Sequence, residues 1–266
     1  SNTGTITSTS YSVGGICGYN ISGGIIGGSN TGAVKGTYNV GGVCGRNDGQ
    51  IVSGTSGNDI LIEATAESSY VGGICGYNSG KMIASTPKAT GSNVKGVMYV
   101  GGVVGYNVSD TVRRFYARAA ATVTSTATSG NAYCGGFCGY NGGKLVGVYN
   151  YATVSAGANY VGGIAGYNTA NGVIDGNAKQ CANVTGLSYV GGIAGGNAGK
   201  INGADVEPDS YSDPLPVISA TSTGRAYVGG ICGVNTGTIR SAHPEAVVSG
   251  TMIVGGVVGQ NSGKVS

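Results

Sequence analysis

Tyr70-Val71-Gly72-Gly73-Ile74-Cys75-Gly76-Tyr77-Asn78-Ser79-Gly80-Lys81-Met82 is one statement of a theme that the chain repeats nine times. Gly pairs open the copies at Gly14, Gly41, Gly72, Gly101, Gly135, Gly162, Gly191, Gly229 and Gly255. An Asn closes each one, at Asn20, Asn47, Asn78, Asn107, Asn141, Asn168, Asn197, Asn235 and Asn261. The intervals between Gly pairs are 27, 31, 29, 34, 27, 29, 38 and 26 residues. After the Asn come a Gly, a spacer and an apolar residue, as in Asn197-Ala198-Gly199-Lys200-Ile201. A further short apolar stretch follows, such as Ala33-Val34-Lys35-Gly36 or Ala152-Thr153-Val154-Ser155. One repeat therefore reads strand, Asn/Gly turn, strand, loop, strand. No window carries a sustained 3.6-residue apolar period, so essentially no helix is predicted.

A unit of about 30 residues made of short strands cannot bury an apolar face alone, but units stacked in register can. The predicted fold is all-β, a parallel β-solenoid of about nine coils formed by residues 1–266 as one array. With strands roughly 4.8 Å apart, such a rod is about 40 Å long. Stacking puts Ile16, Val43, Ile74, Val103, Phe137, Ile164, Ile193, Ile231 and Val257 into one apolar ladder. The adjacent row holds the small apolar residues Cys17, Cys44, Cys75, Val104, Cys138, Ala165, Ala194, Cys232 and Val258. Neighbours in a strand face opposite ways, so two adjacent apolar rows require either a strand covered on both faces or a bend that turns both inward. The Asn positions suit turns and coil-to-coil amide hydrogen bonds. Two Tyr rows, Tyr70, Tyr99, Tyr133, Tyr160, Tyr189, Tyr227 and Tyr19, Tyr77, Tyr106, Tyr140, Tyr167, read as stacked ladders or as a flat sugar-binding surface.

Composition narrows the rest. Fifty-five Gly with only five Pro and no Gly-x-y period excludes collagen, and a 40% apolar content at fixed positions argues against disorder. A net charge of +3 without a basic stripe gives no nucleic-acid footprint. No apolar run is long enough to span a membrane, so no membrane insertion is expected of this segment. Seven Cys cannot all pair within one chain, and five fall at one repeat position, so they read as small core residues rather than a disulfide framework.

Chemistry-bearing residues are few. His243 is the only His and is expected in a loop before Pro244; a zinc peptidase or a Ser- or Cys-based nucleophile system would each need more than it offers. No metal ligand set and no cofactor motif is present, Cys134 and Cys138 lacking two further paired ligands. The longest interval carries Asp205, Glu207, Asp209 and Asp213 among prolines, and the 203–216 stretch is expected as a solvated insertion, with a calcium site or a glycan-cleaving carboxylate pair as alternatives. The 34-residue interval carries Val112-Arg113-Arg114-Phe115-Tyr116-Ala117-Arg118, the one basic-aromatic cluster. Arg113, Arg114, Tyr116 and Arg118 are the candidate binding residues, for an acidic glycan or a protein partner, with a solvated excursion as the plainer reading. Thr122, Thr124, Thr126 and Thr128 alternate as in ice-binding faces, but few other copies offer the same run.

The segments Gly15-Ile16-Cys17-Gly18, Gly73-Ile74-Cys75-Gly76, Gly163-Ile164-Ala165-Gly166 and Gly192-Ile193-Ala194-Gly195 resemble the GLUG motif, with Ile, Val or Phe in place of its Leu. The resemblance extends over nearly the whole chain. It implies a bacterial, extracellular or cell-surface setting, since such repeats occur in adhesins and in the non-catalytic parts of immunoglobulin-A-cleaving metallopeptidases, and it transfers no catalytic residue. Asn2-Thr3-Gly4-Thr5-Ile6 matches the tail of a repeat, which suggests a piece of a longer array or chains that stack end to end. The expected function is a non-catalytic structural stalk or adhesin segment. Its alternatives are a glycan- or host-protein-binding module and a β-helix carbohydrate-active enzyme.

Overall fold

The computed structural model describes residues 1–266 apart from Ser109, Ala119, Ala120, Ser129 and Ala158. One coil runs through strands Tyr70–Gly72, Cys75–Asn78, Lys81–Thr90 and Asn93–Gly96, after which Tyr99–Gly101 begins the next. The chain returns in register, pairing Tyr70 with Tyr99, Val71 with Val100 and Gly72 with Gly101 in parallel. Repetition of this step builds a β-solenoid of about nine coils with no helix among the described residues. Four parallel sheets result: a Tyr-Val-Gly sheet, a Gly-Tyr-Asn sheet and a valine sheet of nine strands each, and a broad sheet of thirteen among the described residues. Some copies cross the broad sheet as one strand, like Thr111–Ala117, and others as two, like Lys144–Val146 and Tyr149–Asn150.

The two adjacent apolar rows are explained by a bend. The chain turns at Gly73-Ile74, between Tyr70–Gly72 and Cys75–Asn78, and both Ile74 and Cys75 become fully buried. Their two amides donate to one acceptor, the Val103 carbonyl of the next coil, at 2.9 and 3.0 Å. The glycines beside the bend have a steric cause. A Cβ on Gly72 would meet the Cys75 carbonyl oxygen, and one on Gly76 would meet the Val40 amide and Tyr70 carbonyl at 2.6 and 2.7 Å. Backbone packs directly on backbone across this corner, and only Gly fits.

Inside, the valine sheet contributes Val34, Ile62, Val94, Val123, Val154, Val184 and Ile218, all essentially inaccessible to solvent. They face Met82, Val112, Leu145, Ile174, Ile201 and Ile239 of the broad sheet and the Val43-to-Ile231 ladder at the bend. Each such side chain contributes about 1.5–3 kcal/mol, and none can be buried without a neighbouring coil above and below.

The Asn row forms an unbroken ladder. Each Nδ2 donates to the Oδ1 of the next Asn, from Asn20 to Asn261, at 2.7–3.0 Å. The same amides cap the following turn, as Asn78 does at the Gly80 carbonyl, 2.8 Å away. Among the described residues no buried side-chain polar atom lacks a partner. A second buried polar row, unforeseen in the sequence, runs along the broad sheet. Asn2 donates to Asn30 at 2.7 Å, Ser92 to Ser56 at 2.6 Å, and Asn150 to Gln180 at 2.8 Å. Asn2 therefore stacks in this row and not in the Asn20 ladder.

Three local expectations are corrected. Residues 112–118 are not an excursion: Thr111–Ala117 is a strand paired on both sides, in register with the following coil and with a register shift between Ile83 and Lys88 in the preceding one, and the coil's extra length lies in the turns around it. Of 203–216, the first residues belong to strand Lys200–Val206, so the excursion begins at Glu207. His243 lies in strand Thr238–Pro244, beside Asp205 in the adjacent coil, and not in a loop.

Candidate functional site

The tyrosine rows come first because they are the largest aromatic surface. Tyr70, Tyr99, Tyr133, Tyr160, Tyr189 and Tyr227 stack with centroids 4.7–5.4 Å apart. Tyr77, Tyr106, Tyr140 and Tyr167 do the same at 4.9–5.6 Å. The rows also interlock edge to face, as Tyr99 does with Tyr106 at 5.3 Å. Arg46 fills the register gap between Tyr19 and Tyr77, its guanidinium 5.0 and 5.2 Å from their ring centres. Asp48 receives its Nη2 at 2.9 Å and the Tyr19 hydroxyl at 2.5 Å. Burial raises the Asp48 carboxyl, but hydrogen bonds from Arg46, Ser79 and Tyr19 outweigh it and hold the group below its ordinary range. Stacking spends the ring faces on one another, and a sugar needs a free face. The rows are built as a zipper between coils.

The acidic excursion is similarly committed. Asp205 faces His243 at 3.2 Å, Glu207 pairs with Lys179 at 2.9 Å, and Asp213 accepts the Ser210 amide at 3.1 Å. Asp209 lines two shallow hollows, one with Lys179 and Tyr211 and the other with Tyr151 and Cys181. Among the described residues no three His, Cys, Asp or Glu side chains gather as a cation site. The His243 side chain is 80% exposed, so this pair lies in solvent and not in a dry catalytic pocket.

The seven cysteines are free thiols, and Cys17, Cys44 and Cys75 stack in adjacent coils. Cys44, Cys75, Cys138 and Cys232 each send the thiol to the carbonyl two residues on, at 2.9–3.3 Å. A small apolar side chain with one weak donor suits that position. Burial pushes the Cys75 thiol up, and those of Cys138 and Cys232 up to about 12, so these sulfurs are poor nucleophiles. The alternating threonines do not make a face either. The outward row of the valine sheet reads Lys35, Glu63, Lys95, Thr124, Ser155, Thr185, Ser219, Ser249, and Glu63 bridges its two Lys at 3.2 and 3.0 Å.

The basic-aromatic strand differs from all of these. Arg113 and Arg114 are consecutive and both exposed, because Arg114 adopts a left-handed backbone with φ of 63°. The coils that follow bend at the same register with Gly147, Gly176, Gly203 and Ser241, at φ of 55°, 71°, 62° and 50°. Holding an L-residue with a side chain there costs about 1–2 kcal/mol, and Gly147, whose added Cβ would meet nothing nearer than 3.6 Å, leaves open space beside the arginines. The result is a groove of about 350 Å³ walled by Arg113, Arg114, Tyr116 and Tyr149 and floored by Gly147 and Gly176. On the other side of Tyr116 lies a second hollow of about 350 Å³, with Lys88, Arg118 and Asn58. The sequence-derived set of Arg113, Arg114, Tyr116 and Arg118 is thus gathered around one ring. Tyr149 and Lys88 were missed; Tyr149 is the register partner of Tyr116, and aligning the strands after Asn107 and Asn141 with one extra residue would have found it. No family model, curated protein or solved structure matches the chain.

Proposed function

We propose that this chain is a non-catalytic rod, a stalk or adhesin segment of a bacterial surface or secreted protein. The observation that carries the reading is the Asn ladder, which links all nine coils by eight side-chain hydrogen bonds without a gap. Polar groups and aromatic faces are used between coils, so the molecule's chemistry is directed at keeping its own axis straight. Solenoids of this kind add length in equal steps, one repeat at a time. The resemblance of the repeat core to the GLUG motif supports an extracellular setting, with neighbouring repeats or like chains as axial partners.

A spacer is tested by changing its length. Deletion of residues 70–159 removes three whole coils and brings Tyr160 onto Asn39, where Tyr70 now sits. Placed between a membrane anchor and a fluorescent head, the shortened chain should reduce the anchor-to-head distance by about 14 Å, three strand spacings, and still fold. Turnover of a polysaccharide by the purified chain, lost in Asp209→Asn, would overturn the proposal.

A further inference from the structure

We infer that the groove walled by Arg113, Arg114, Tyr116 and Tyr149 is a binding site for an anionic glycan, one carrying carboxylate or sulfate groups. This goes beyond the rod reading, which needs no ligand.

Charge is the first argument. Arg113, Arg114, Arg118 and Lys88 surround Tyr116, and none of the four is ion-paired among the described residues; Lys81, Lys200, Lys264, Arg225 and Arg240 also lack an ion pair there, but none of them lines either hollow. Among the described residues no carboxylate lines either hollow. The Arg114 Nη1 donates to the Ser85 carbonyl at 2.7 Å, which fixes the guanidinium while leaving most of its planar fork for an oxyanion.

The aromatic rings are the second. Tyr149 is 36% exposed and enters no ring stack among the described residues, and Tyr116 meets only the edge of Tyr151, at 6.4 Å. These rings, unlike those of the ladders, have faces free for the C–H side of a sugar, whose hydrogens meet the electron-rich face of the ring. The groove volume falls within the ~300–1,000 Å³ of small-ligand clefts, and the hollow across Tyr116 offers a second subsite.

Backbone strain is the third and is independent of both. The register that Gly occupies in the next three coils holds an Arg at φ of 63° in this one. Gly would satisfy the bend, so the Arg is retained at a conformational cost where its side chain reaches the groove. An acidic peptide fits less well, because Thr111–Ala117 is paired on both sides and offers no sheet edge for strand addition. Nucleic acid calls for a longer basic stripe.

The test is calorimetric titration of the whole chain with oligogalacturonate, a heparin oligosaccharide and a maltooligosaccharide. One or both anionic probes should bind, with affinity that falls as salt rises, and the neutral one should not. Arg113→Ala and Tyr149→Ala should each weaken binding by about tenfold or more without changing the circular dichroism. Arg114→Gly should raise the melting temperature and still weaken binding, a pairing that a purely structural Arg114 would not give. Binding of the oligogalacturonate shows that carboxylate suffices, and binding of the heparin oligosaccharide alone, which carries carboxylates too, shows that sulfate is required. No binding of either, binding indifferent to all three substitutions, or tighter binding of a poly-glutamate peptide or an RNA would overturn the inference.

Discussion

At the scale of single residues, the amide of Asn does what no isostere can. Asn141 donates to Asn168 at 2.8 Å and to the Gly143 carbonyl at 3.0 Å, while its Oδ1 accepts from Asn107 at 3.0 Å and from the Gly143 amide at 3.3 Å. Replacement by Ala leaves one N–H of Asn107, the Oδ1 of Asn168 and the Gly143 N–H without partners in a site closed to water, while the Gly143 carbonyl keeps the Val173 amide at 2.9 Å. A buried polar group so orphaned costs about 1–3 kcal/mol, and more than one is orphaned here. Asn141→Ala is therefore expected to destabilise the chain by about 2–4 kcal/mol in urea unfolding. Asn141→Asp, nearly identical in shape, should cost at least as much, because it removes the donor and buries a charge. An exposed change one turn on, Lys144→Ala, breaks only the surface pair with Asp175 and should cost under about 1 kcal/mol. Equal effects for Asn141→Ala and Lys144→Ala would mean that the ladder is decoration.

At the scale of elements, the corner between the Tyr-Val-Gly and Gly-Tyr-Asn strands decides the cross-section. Adding one methyl group at Gly72 drives it into the Cys75 carbonyl and the strand of the next coil, which is backbone and cannot swing aside. Gly72→Ala should destabilise by about 3 kcal/mol or more, whereas Gly224→Ala, whose Cβ would find its nearest neighbour at 3.7 Å, should stay within about 0.5 kcal/mol. Comparing the two denaturation midpoints separates close approach from a general intolerance of Ala. This corner also marks how far the sequence could be read. The in-register stacking and the Tyr and Asn ladders were legible because they repeat the same residue at the same offset. That the bend turns Ile74 and Cys75 both inward was left open, since strand alternation and a corner predict the same pair of rows. The buried row of Asn30, Ser56, Thr90, Asn150 and Gln180 escaped notice because chemically different residues occupy one register. The basic strand was found by composition alone; its groove depends on a left-handed bend at Arg114, which no local pattern announces.

At the scale of the molecule, ten tyrosines form one interlocked strip from Tyr70 to Tyr227, and six of its phenols are pushed above their ordinary range. Burial first, and then the charge that each neighbouring tyrosinate would impose, push Tyr99 and Tyr106 up to about 12. Tyr70, Tyr133, Tyr160 and Tyr167 move in the same direction for the same leading reason. A group whose folded pKa lies above its unfolded value stabilises the fold fully below the unfolded value. That stabilisation disappears as pH rises through the folded one. With an unfolded Tyr near 10, the chain should hold constant stability from this source up to about pH 10 and lose it through about pH 12. Each ionisation within the folded strip raises the cost of the next, so the shifted rings should ionise as the stacked coils open together rather than one by one in the folded rod. Circular dichroism and the last part of the tyrosinate absorbance change should therefore move in one transition. A tyrosinate absorbance change that is complete near pH 10, with the sheets intact, would show that the rings of the strip are hydrated and that the zipper contributes little to the stiffness of the rod.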